Sequence, residues 1–422
     1  MIPSPDHSGS GRPVPPLYDV AALRRAEFPW SDSHLFLNHA STGPIPERTR
    51  RVLAEFTGRR ATPFRLPDDE LQAILAGARQ RAARLINAEV GEIALATNTS
   101  FGLNLAARML PFRPGDVVLV SDGEFPANVF PWKHLGDRGV RMELLPVTRE
   151  GWPDEVRMVE RMGDPAVRAL AVSHVQFHTG YRVDLARLGD RARATGTFLV
   201  VDAIQALGQV PFDVRETPVD ILACGGQKWL LSPWGSGFLY VRRELIGELV
   251  SPLAGWSAFV GTDNFATLCD YSGALRSDAR RYELVTLPFQ DLLGMSHSLD
   301  LLDELGIASI QAHLSRIGAP VAEWAIRSGV RLVSPPPEDP RGSGIICLAA
   351  DALPGALPAL RAAGITASVR EGALRLSPHC YNTVEEMELL VGVLDPLFPT
   401  SSPPSPPAGL SSQTRTPGRR RS

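Results

Sequence analysis

The chain carries only two lysines, and their positions give the first indication of its chemistry. Lys133 and Lys228 stand among 43 lysine and arginine residues in total. Arginine supplies charge and ion pairs, but its guanidinium stays protonated, whereas a lysine amine can lose its proton and form a Schiff base with a carbonyl group. A lysine kept in such an arginine-rich chain is therefore a candidate for chemistry that arginine cannot perform.

The sequence context of Lys228 is typical of a reactive amine, and that of Lys133 is not. Lys133 lies in Pro-Trp-Lys-His, which predicts the surface of a helix. Lys228 follows the apolar segment 221–224 and two glycines, and it precedes the loop 232–237. An amine just past the end of a buried strand could hold a carbonyl cofactor. A lone lysine after a strand is, however, more often a plain surface residue.

Other polar residues follow predicted strands in the same way, and the carboxyl ends of the strands form the ligand-binding edge of an open α/β sheet. Thr99 and Ser100 begin a predicted helix, whose free N–H groups and positive dipole end suit a phosphate. Asp202 ends a buried strand and could keep a pyridine nitrogen protonated. Gln205 could bond a ring hydroxyl, and Phe125 could stack on a flat ring. Each has a common structural role when taken alone, but with a lysine amine they describe a site for pyridoxal 5′-phosphate (PLP).

The elements around these residues predict an α/β fold. Short apolar strands alternate with amphipathic helices from Glu92 to Arg242. This alternation indicates a mainly parallel sheet with helices on both faces. From about Asp270 the pattern changes to that of a smaller α+β domain, with helices expected at 287–305, running on into 308–328, and at 384–397, and with strands at 344–348 and 374–377.

The chain of 422 residues has a Pro- and Ser-rich segment at each end. We expect residues 1–17 and 400–422 to be disordered. The first segment has no apolar core, so we expect no signal peptide. Between the tails we expect a large α/β domain over 18–270 and a small C-terminal α+β domain over 271–399.

The composition argues against several classes of protein. The net charge of −3 gives no basic face for nucleic acid, and no apolar run approaches the length of a membrane span. Without a CxxC pair, the cysteines predict reduced thiols in a cytoplasmic protein and neither a disulfide framework nor a metal site. They are Cys224, Cys269, Cys347 and Cys380.

Several motifs, taken in order, resemble those of the class V aminotransferases. The run Val-Asp-Ile-Leu-Ala-Cys-Gly-Gly-Gln-Lys at 219–228, with Gly-Ser-Gly-Phe at 235–238, is similar to the cofactor-lysine signature of that family. The family includes cysteine desulfurases, selenocysteine lyases, isopenicillin N epimerase-like proteins and kynureninases. The similarity extends from about Leu35 to Leu397, through the segments 36–44, 173–175, 201–206, 281–283, 375–377 and 381–386.

The resemblance implies the PLP-dependent transferase fold type I. Its large domain has a mainly parallel seven-stranded-type sheet, and a smaller α+β C-terminal domain follows. It also implies an N-terminal substrate-side segment at 35–50 and a homodimer with shared sites. In such a dimer Thr286 matches a position that reaches the partner subunit's phosphate.

The resemblance also implies roles for single residues. On the cofactor side, Lys228 matches the Schiff-base lysine, Asp202 the pyridinium partner, Gln205 the residue near the ring hydroxyl, Thr99 with Ser100 the phosphate cradle, and Phe125 the stacking residue, for which Pro126 is the competing position. Gln227 stands where the family often has histidine, and Gly225 stands where a residue with a phosphate-binding hydroxyl is common. The resemblance therefore does not assign the phosphate contacts on that side. On the substrate side, Arg375 matches the arginine that binds an α-carboxylate, Arg370 is the other candidate, and His39, Asn128 and Gln176 are further candidates.

The expected function is PLP-dependent Schiff-base chemistry on a small-molecule amino acid, by a lyase or epimerase-like enzyme. An aminotransferase with a keto-acid acceptor is the alternative reaction. Activity like that of a cysteine desulfurase or selenocysteine lyase is a further alternative, although a dedicated cysteine desulfurase is disfavoured. Desulfurases carry a mobile loop with a nucleophilic cysteine, and the segment between Arg370 and Arg375 is too short for it. We expect the nearby Cys380 to be a buried structural thiol.

Two readings from other classes fit less well. A nucleotide-dependent oxidoreductase on a doubly wound fold would need a G-x-G-x-x-G turn after the first strand, and the sequence has none. A catalytically silent relative that serves as an interaction scaffold would be expected to have lost the lysine or the aspartate. Lys228 and Asp202 are both present.

Overall fold

The computed structural model describes residues 18–350 and 355–398, so both predicted disordered tails lie outside the described residues. The α-helices are α1 Val20–Glu27, α2 Glu47–Arg60, α3 Asp68–Leu85, α4 Thr99–Met109, α5 Phe130–His134, α6 Glu155–Arg161, α7 Leu185–Thr195, α8 Phe289–Leu305, α9 Ile307–Arg327, α10 Ala356–Ala362 and α11 Val384–Leu394. The strands are β1 Leu35–Phe36, β2 Ile93–Leu95, β3 Val117–Ser121, β4 Arg141–Leu145, β5 Val167–Ser173, β6 Phe198–Asp202, β7 Ile221–Gly225, β8 Gly237–Val241, β9 Arg331–Leu332, β10 Ile346–Ala349, β11 Ile365–Thr366, β12 Ser368–Arg370 and β13 Ala373–Leu376.

Seven strands form the central sheet in the order β2-β8-β7-β6-β5-β3-β4. Strands β4, β3, β5, β6 and β7 are parallel, and β8 is antiparallel to both β7 and β2. The predicted mainly parallel, seven-stranded sheet is therefore confirmed. Because Gly225 at the end of β7 pairs with Gly237 at the start of β8, the intervening loop 226–236 lies at the edge where the parallel strands end.

The sheet is buried on both faces, as the apolar strands predict. Val117 and Leu119 of β3 belong to one hydrophobic core, and Val118 and Val120 belong to a second. Since successive side chains of a strand point to opposite faces, a strand that is apolar throughout needs cover on both sides. Helices α3 and α7 contribute to the first core and α4 to the second.

The C-terminal part contains a small antiparallel sheet in the order β12-β13-β10-β9. It packs with α9 and α11, in agreement with the predicted α+β pattern. The expected continuous helical stretch is divided, because Gly306 adopts a φ of 75° between α8 and α9. The helix predicted around Lys133 is short, because α5 spans only Phe130–His134 and has 3₁₀ turns on either side.

Long-range pairing brings the N-terminal segment onto the C-terminal sheet. Strand β1 pairs in parallel with β11, and Asn38 forms a bridge with Ser377 just beyond β13. The residues from Asn38 onward are thereby held beside β12 and β13. Among the described helices, none has the length and apolar character that a membrane span requires.

Candidate active site

Lys228 lies in the loop between β7 and β8, at the edge of the central sheet. The carbonyl of the preceding Gln227 accepts a 2.9 Å hydrogen bond from the N–H of Gly43, so the N-terminal segment packs directly on this loop. Burial lowers the pKa of the Lys228 amine to about 8, against the opposing charge of Asp202. A substantial fraction of the amine is therefore neutral, and nucleophilic, near pH 8.

Asp202 ends β6, beside β7, and its carboxyl group is buried. Its side chain is 3% exposed, and its Oδ1 accepts a 2.9 Å hydrogen bond from the N–H of Ile204. Burial raises the pKa of the carboxyl group to about 7, although the Ile204 N–H and the charge of Lys228 act to lower it. A cation placed against this carboxylate would replace the solvation that burial removes.

The N-terminus of α4 lies close to the end of β7. Asn98 caps the helix by accepting the N–H of Phe101, and the hydroxyl of Thr99 accepts the N–H of Gly225 at 2.8 Å. A Cβ atom at position 225 would lie 3.2 Å from the Thr99 hydroxyl, 3.3 Å from the Thr99 nitrogen and 2.6 Å from the Gln227 amide oxygen. Glycine thus keeps this helix terminus open, and the exposed Ser100 stands beside it. The arrangement suits an anion.

Phe125 presents an uncovered ring to the site. The side chain is 44% exposed, and the Lys228 amine lies 5.5 Å from the centre of its ring. The ring of Phe177 packs edge-on against it with the ring centres 5.3 Å apart. An exposed phenylalanine face beside an amine is available for stacking on a flat ring.

Gln205 and His39 already have protein partners. The Gln205 amide donates to the carbonyl of Ala40 at 2.9 Å and accepts the indole N–H of Trp229 at 2.8 Å. Fully buried His39 bonds through Nδ1 to the Ser377 carbonyl and through Nε2 to a tyrosine hydroxyl. The structure thus leaves Gln205 one amide hydrogen for a ligand and leaves His39 no free ring nitrogen.

Asn128 and Gln176 converge on a buried carboxyl group, that of Glu124. Both amides donate to it, at 3.1 and 2.8 Å, and the Asn128 oxygen accepts the indole N–H of Trp132. Burial raises the pKa of Glu124, which also accepts the backbone and hydroxyl hydrogens of Ser173. These amides therefore support the loops after β3 and β5. The network uses both the nitrogen and the oxygen of the Asn128 amide, whereas the Gln176 amide oxygen is buried without a partner among the described residues.

Arg375 and Arg370 meet at a single hydroxyl group. The Nη2 atoms of Arg375 and Arg370 both donate to the Oγ of Ser41, at 2.6 and 3.1 Å. Arg375 is 2% exposed, donates through Nη1 to the Phe177 carbonyl, and has a buried Nε without a partner in the part of the chain that the structure describes. A buried guanidinium with an unused N–H group can bind a carboxylate.

The exposed Thr286 is not brought together with the other predicted residues. It lines a groove between α3 and the segment 256–289, together with Trp256, Arg280 and other residues outside the predicted set. The sequence interpretation also did not select Ser41, Glu124 or Phe177 as site residues. Glu124 follows a predicted strand, so strand-end position could have indicated it, and Ser41 lies in the motif 36–44. Nothing in the sequence distinguishes Phe177.

Comparison with known proteins identifies the family. The family model "Aminotransferase class-V" matches residues 35–390. The chain belongs to the class V aminotransferases. This confirms the resemblance drawn from the motifs.

Curated members of the class V aminotransferases are similar over nearly the whole chain. A probable cysteine desulfurase of Methanothermobacter thermautotrophicus is 30% identical, over 88% of this chain and 96% of its own length. Isopenicillin N epimerase of Amycolatopsis lactamdurans is also 30% identical, over 86% of this chain and 94% of its own length. The two names stand for different reactions, so identity at this level does not select one of them.

Solved structures show the same fold. The apo structure of a cysteine desulfurase from Thermococcus onnurineus has a TM-score of 0.79 at 22% identity, covering 90% of this chain and 98% of its own. A cystine C-S lyase in complex with its product, cysteine persulfide, has a TM-score of 0.80 at 20% identity, covering 89% of this chain and all of its own. Together with the mainly parallel sheet, these confirm the predicted PLP-dependent transferase fold type I.

PLP is the cofactor of class V aminotransferases, as predicted, and a further structural neighbour holds glycine covalently linked to it. The side chains of this chain fit that group. Asp202 has a buried carboxylate with a single hydrogen bond, the Phe125 ring is exposed, and the start of α4 is kept open by Gly225. A pyridinium, a flat ring and a phosphate each have a matching partner here.

Proposed function

We propose that this class V aminotransferase binds PLP through Lys228 and acts on an amino acid as a lyase or epimerase-like enzyme. The observation that carries the proposal is the environment of Lys228. Its amine faces an exposed ring at 5.5 Å, and its pKa responds to the charges of Asp202, Arg375 and Arg370. A carboxylate and two guanidiniums therefore act on an amine that lies beside the exposed ring of Phe125.

The cofactor-side residues have distinct proposed tasks. Asp202 keeps the ring nitrogen protonated, so bound PLP can withdraw electrons from the bonds at the substrate Cα. Thr99, Ser100 and the first N–H groups of α4 bind the phosphate, with Gln227 beside them. Phe125 covers one face of the ring. Gln205 offers its remaining amide hydrogen to the ring hydroxyl.

Lys228 and Arg375 act on the substrate in this proposal. Arg375 binds the α-carboxylate through its free Nε–H and the adjacent N–H group, which fixes the direction of the bond to be broken. The Lys228 amine has a pKa lowered to about 8, which lets it take a proton from Cα and return it near neutral pH.

The structure supports a lyase or epimerase more than a desulfurase that relays sulfur through a protein thiol. Arg370 of β12 pairs directly with Ala373 of β13, so a tight turn of Glu371 and Gly372 stands where a mobile loop would be needed. Cys380 is fully buried, and its pKa is raised by burial. Cys347, which pairs with Arg375 in the small sheet, is fully buried as well.

We further propose a homodimer in which Thr286 approaches the partner's phosphate site. Thr286 is separate from the other candidate residues in one chain, and the neighbouring segment exposes large apolar side chains. They include Trp256, Val260, Phe265 and Tyr271, with exposures of 45 to 88%. A contiguous exposed apolar surface is typical of a protein interface.

We also propose that the chain divides into domains at 18–270 and 271–399 and that the protein is located in the cytoplasm. All four cysteines are free thiols, which fits a reducing compartment. A small-molecule amino acid substrate is the proposed partner, and neither nucleic acid nor a membrane is.

The test is an optical spectrum of the purified protein before and after addition of each member of an amino acid panel. We expect a visible absorption band from bound PLP and a shift of that band with the substrate. Product analysis then separates the reactions: pyruvate or sulfide indicates elimination, loss of optical activity indicates racemisation, and dependence on a keto acid indicates transamination. Absence of both the band and any response would contradict the proposal.

A further inference from the structure

Two positively charged groups stand at the substrate side of the site, and one neutral hydroxyl is the partner that they share. Ser41 Oγ accepts from Arg375 at 2.6 Å and from Arg370 at 3.1 Å, and it donates to the Asn38 amide oxygen at 2.8 Å. The hydroxyl thus uses its hydrogen and both lone pairs. It carries no charge that could neutralise either guanidinium.

Neither guanidinium has a carboxylate partner among residues 18–350 and 355–398. Other buried arginines do: Arg79 forms a salt bridge with Glu283 at 2.7 Å, and Arg276 with Asp263 at 2.7 Å. Two neighbouring cations without a counter-charge repel one another and lose solvation on burial. Both effects lower the pKa of Arg375, to about 10. The pair of Arg370 and Arg375 therefore lacks a negatively charged partner among the described residues.

The nearest acidic residue in the sequence does not supply that charge. Glu371 follows Arg370 directly, but it is exposed and forms no ion pair with either arginine among the described residues. The other acceptors of the pair are backbone carbonyls, those of Phe177 for Arg375 and Val369 for Arg370. These are dipoles without net charge, so they do not neutralise either guanidinium.

The arginine pair belongs to the same site as Lys228. The segment that contains Ser41 continues to Gly43, whose N–H binds the Gln227 carbonyl. On the other side, Phe177 accepts from Arg375 and packs its ring against Phe125. The phosphate-binding start of α4 belongs to a different part of the site, beside Gly225. The cofactor's phosphate therefore leaves the arginine pair free for the substrate.

Resting on the proposed function, we propose that the substrate is an amino acid with a second acidic group in its side chain, bound by Arg370 while Arg375 binds the α-carboxylate. One α-carboxylate neutralises one guanidinium, and the second guanidinium then selects a carboxylate or a comparable oxyacid. Arg370 is only partly buried, so it can follow an acidic side chain that extends toward the opening of the site.

Pairs of substrates that differ only in charge test this assignment. The holoenzyme is titrated with glutamate against glutamine and with aspartate against asparagine, and the dissociation constants are read from the absorption band of bound PLP. We expect at least one acidic member to bind about 10- to 100-fold more tightly than its amide, because a charge-assisted hydrogen bond is worth that much.

Variants then locate the effect. Arg370→Gln should reduce the acid-to-amide ratio to about 1, mainly by weakening the acidic member, and Arg375→Gln should weaken both members of each pair. The matched control is Arg361→Gln on α10, which is exposed and outside the site and should preserve the ratio. Thermal unfolding of each variant shows whether it is folded.

The possible failures are distinct. If some amino acids shift the band but acids and amides bind equally well, the second acidic group is wrong and the proposed function stands. The assignment to Arg370 is also wrong if Arg370→Gln keeps the preference. If no amino acid of a broad panel changes the spectrum of the holoenzyme, the proposed function itself fails.

Discussion

The hydroxyl of Thr99 accepts a 2.8 Å hydrogen bond from the N–H of Gly225 and so joins the first turn of α4 to the end of β7. The first of these elements is the proposed phosphate anchor, and the second leads within three residues to Lys228. A single bond therefore links the position of the phosphate to the position of the amine. The link also makes residue 225 a tight position, since a Cβ atom there would lie 3.2 Å from the Thr99 hydroxyl.

Thr99→Val should weaken both the fold and the binding of PLP. The substitution leaves the buried N–H of Gly225 without its acceptor, which costs about 1 to 3 kcal/mol. We expect a lower urea midpoint and a PLP dissociation constant raised about 10-fold. Thr99→Ser keeps the hydroxyl and is the control. Equal behaviour of the Val and Ser variants would show that the bond has no such role.

Asp202→Asn should reduce activity. In the cofactor-free protein, the stability of this variant relative to wild type should be higher at alkaline than at acidic pH. The folded-state pKa of Asp202 is raised from 3.8 to about 7. Its stabilising contribution is thus fully present below pH 3.8, falls as pH rises, and is lost above about pH 7. Asparagine does not titrate, so the stability of the variant relative to wild type should rise by about 2 kcal/mol between pH 5.5 and 7.

Urea unfolding of the two cofactor-free proteins at pH 5.5 and 7.5 measures this difference. In the holoenzyme the same variant should lose about 100-fold or more in turnover, because it no longer holds a charge against the ring nitrogen. A difference in stability that is independent of pH would contradict the buried, titrating carboxyl group. Turnover close to wild type would contradict its role.

Glu283→Gln should destabilise the protein far more than a matched surface change. Glu283 forms a buried salt bridge with Arg79 at 2.7 Å and accepts the N–H of Leu95 at 2.9 Å, so it joins α3 and β2 to the segment before α8. Removal of one member of a buried pair costs about 3 to 5 kcal/mol. The control is Asp303→Asn, whose partner Arg84 is 55% exposed, with a cost below about 1 kcal/mol.

The free energies of unfolding in urea decide between these values. Similar costs for the two substitutions would mean that the Arg79–Glu283 pair is solvated in solution and does not fix the segment to α3.

A thiol titration of the native protein should find one rapidly reacting cysteine, Cys269. This residue is exposed, whereas Cys224, Cys347 and Cys380 are buried with their pKa raised by burial. The thiolate is the reactive form, so buried thiols with raised pKa values react slowly. Ellman's reagent measures the number, and Cys269→Ser should reduce it to zero. Rapid reaction of Cys380 would contradict its burial and would support a role for this thiol in sulfur transfer.

Much of the fold could be predicted because the central strands are short apolar segments. Strand β6 ends at Asp202, as predicted, and α8 lies within two residues of the helix expected at 287–305. The sequence interpretation did not predict α2 or α3, whose many arginines and acids give them a weak apolar pattern. The two-residue strands β1, β9 and β11 carry no periodicity at all, since their pairing depends on distant parts of the chain.

The candidate site, like the fold, could be predicted only in part from the sequence. Lys228 and Asp202 could be selected because each follows an apolar strand, and the edge of an open sheet brings such ends together. The contacts of Ser41 with Arg370 and Arg375 join residues that are 329 and 334 positions apart. His39 appears in a polar motif, yet its surroundings are an aromatic core. No local pattern reports such tertiary surroundings.

Reduction of the holoenzyme with borohydride, followed by peptide mapping, tests the central claim most directly. Because the chain has only two lysines, an adduct on an ε-amine can lie at only two positions. We predict a pyridoxyl adduct on Lys228 and none on Lys133, with the adduct retained in Lys133→Arg and lost in Lys228→Ala. An unmodified Lys228 in a protein that shows the absorption band of bound PLP would contradict the account.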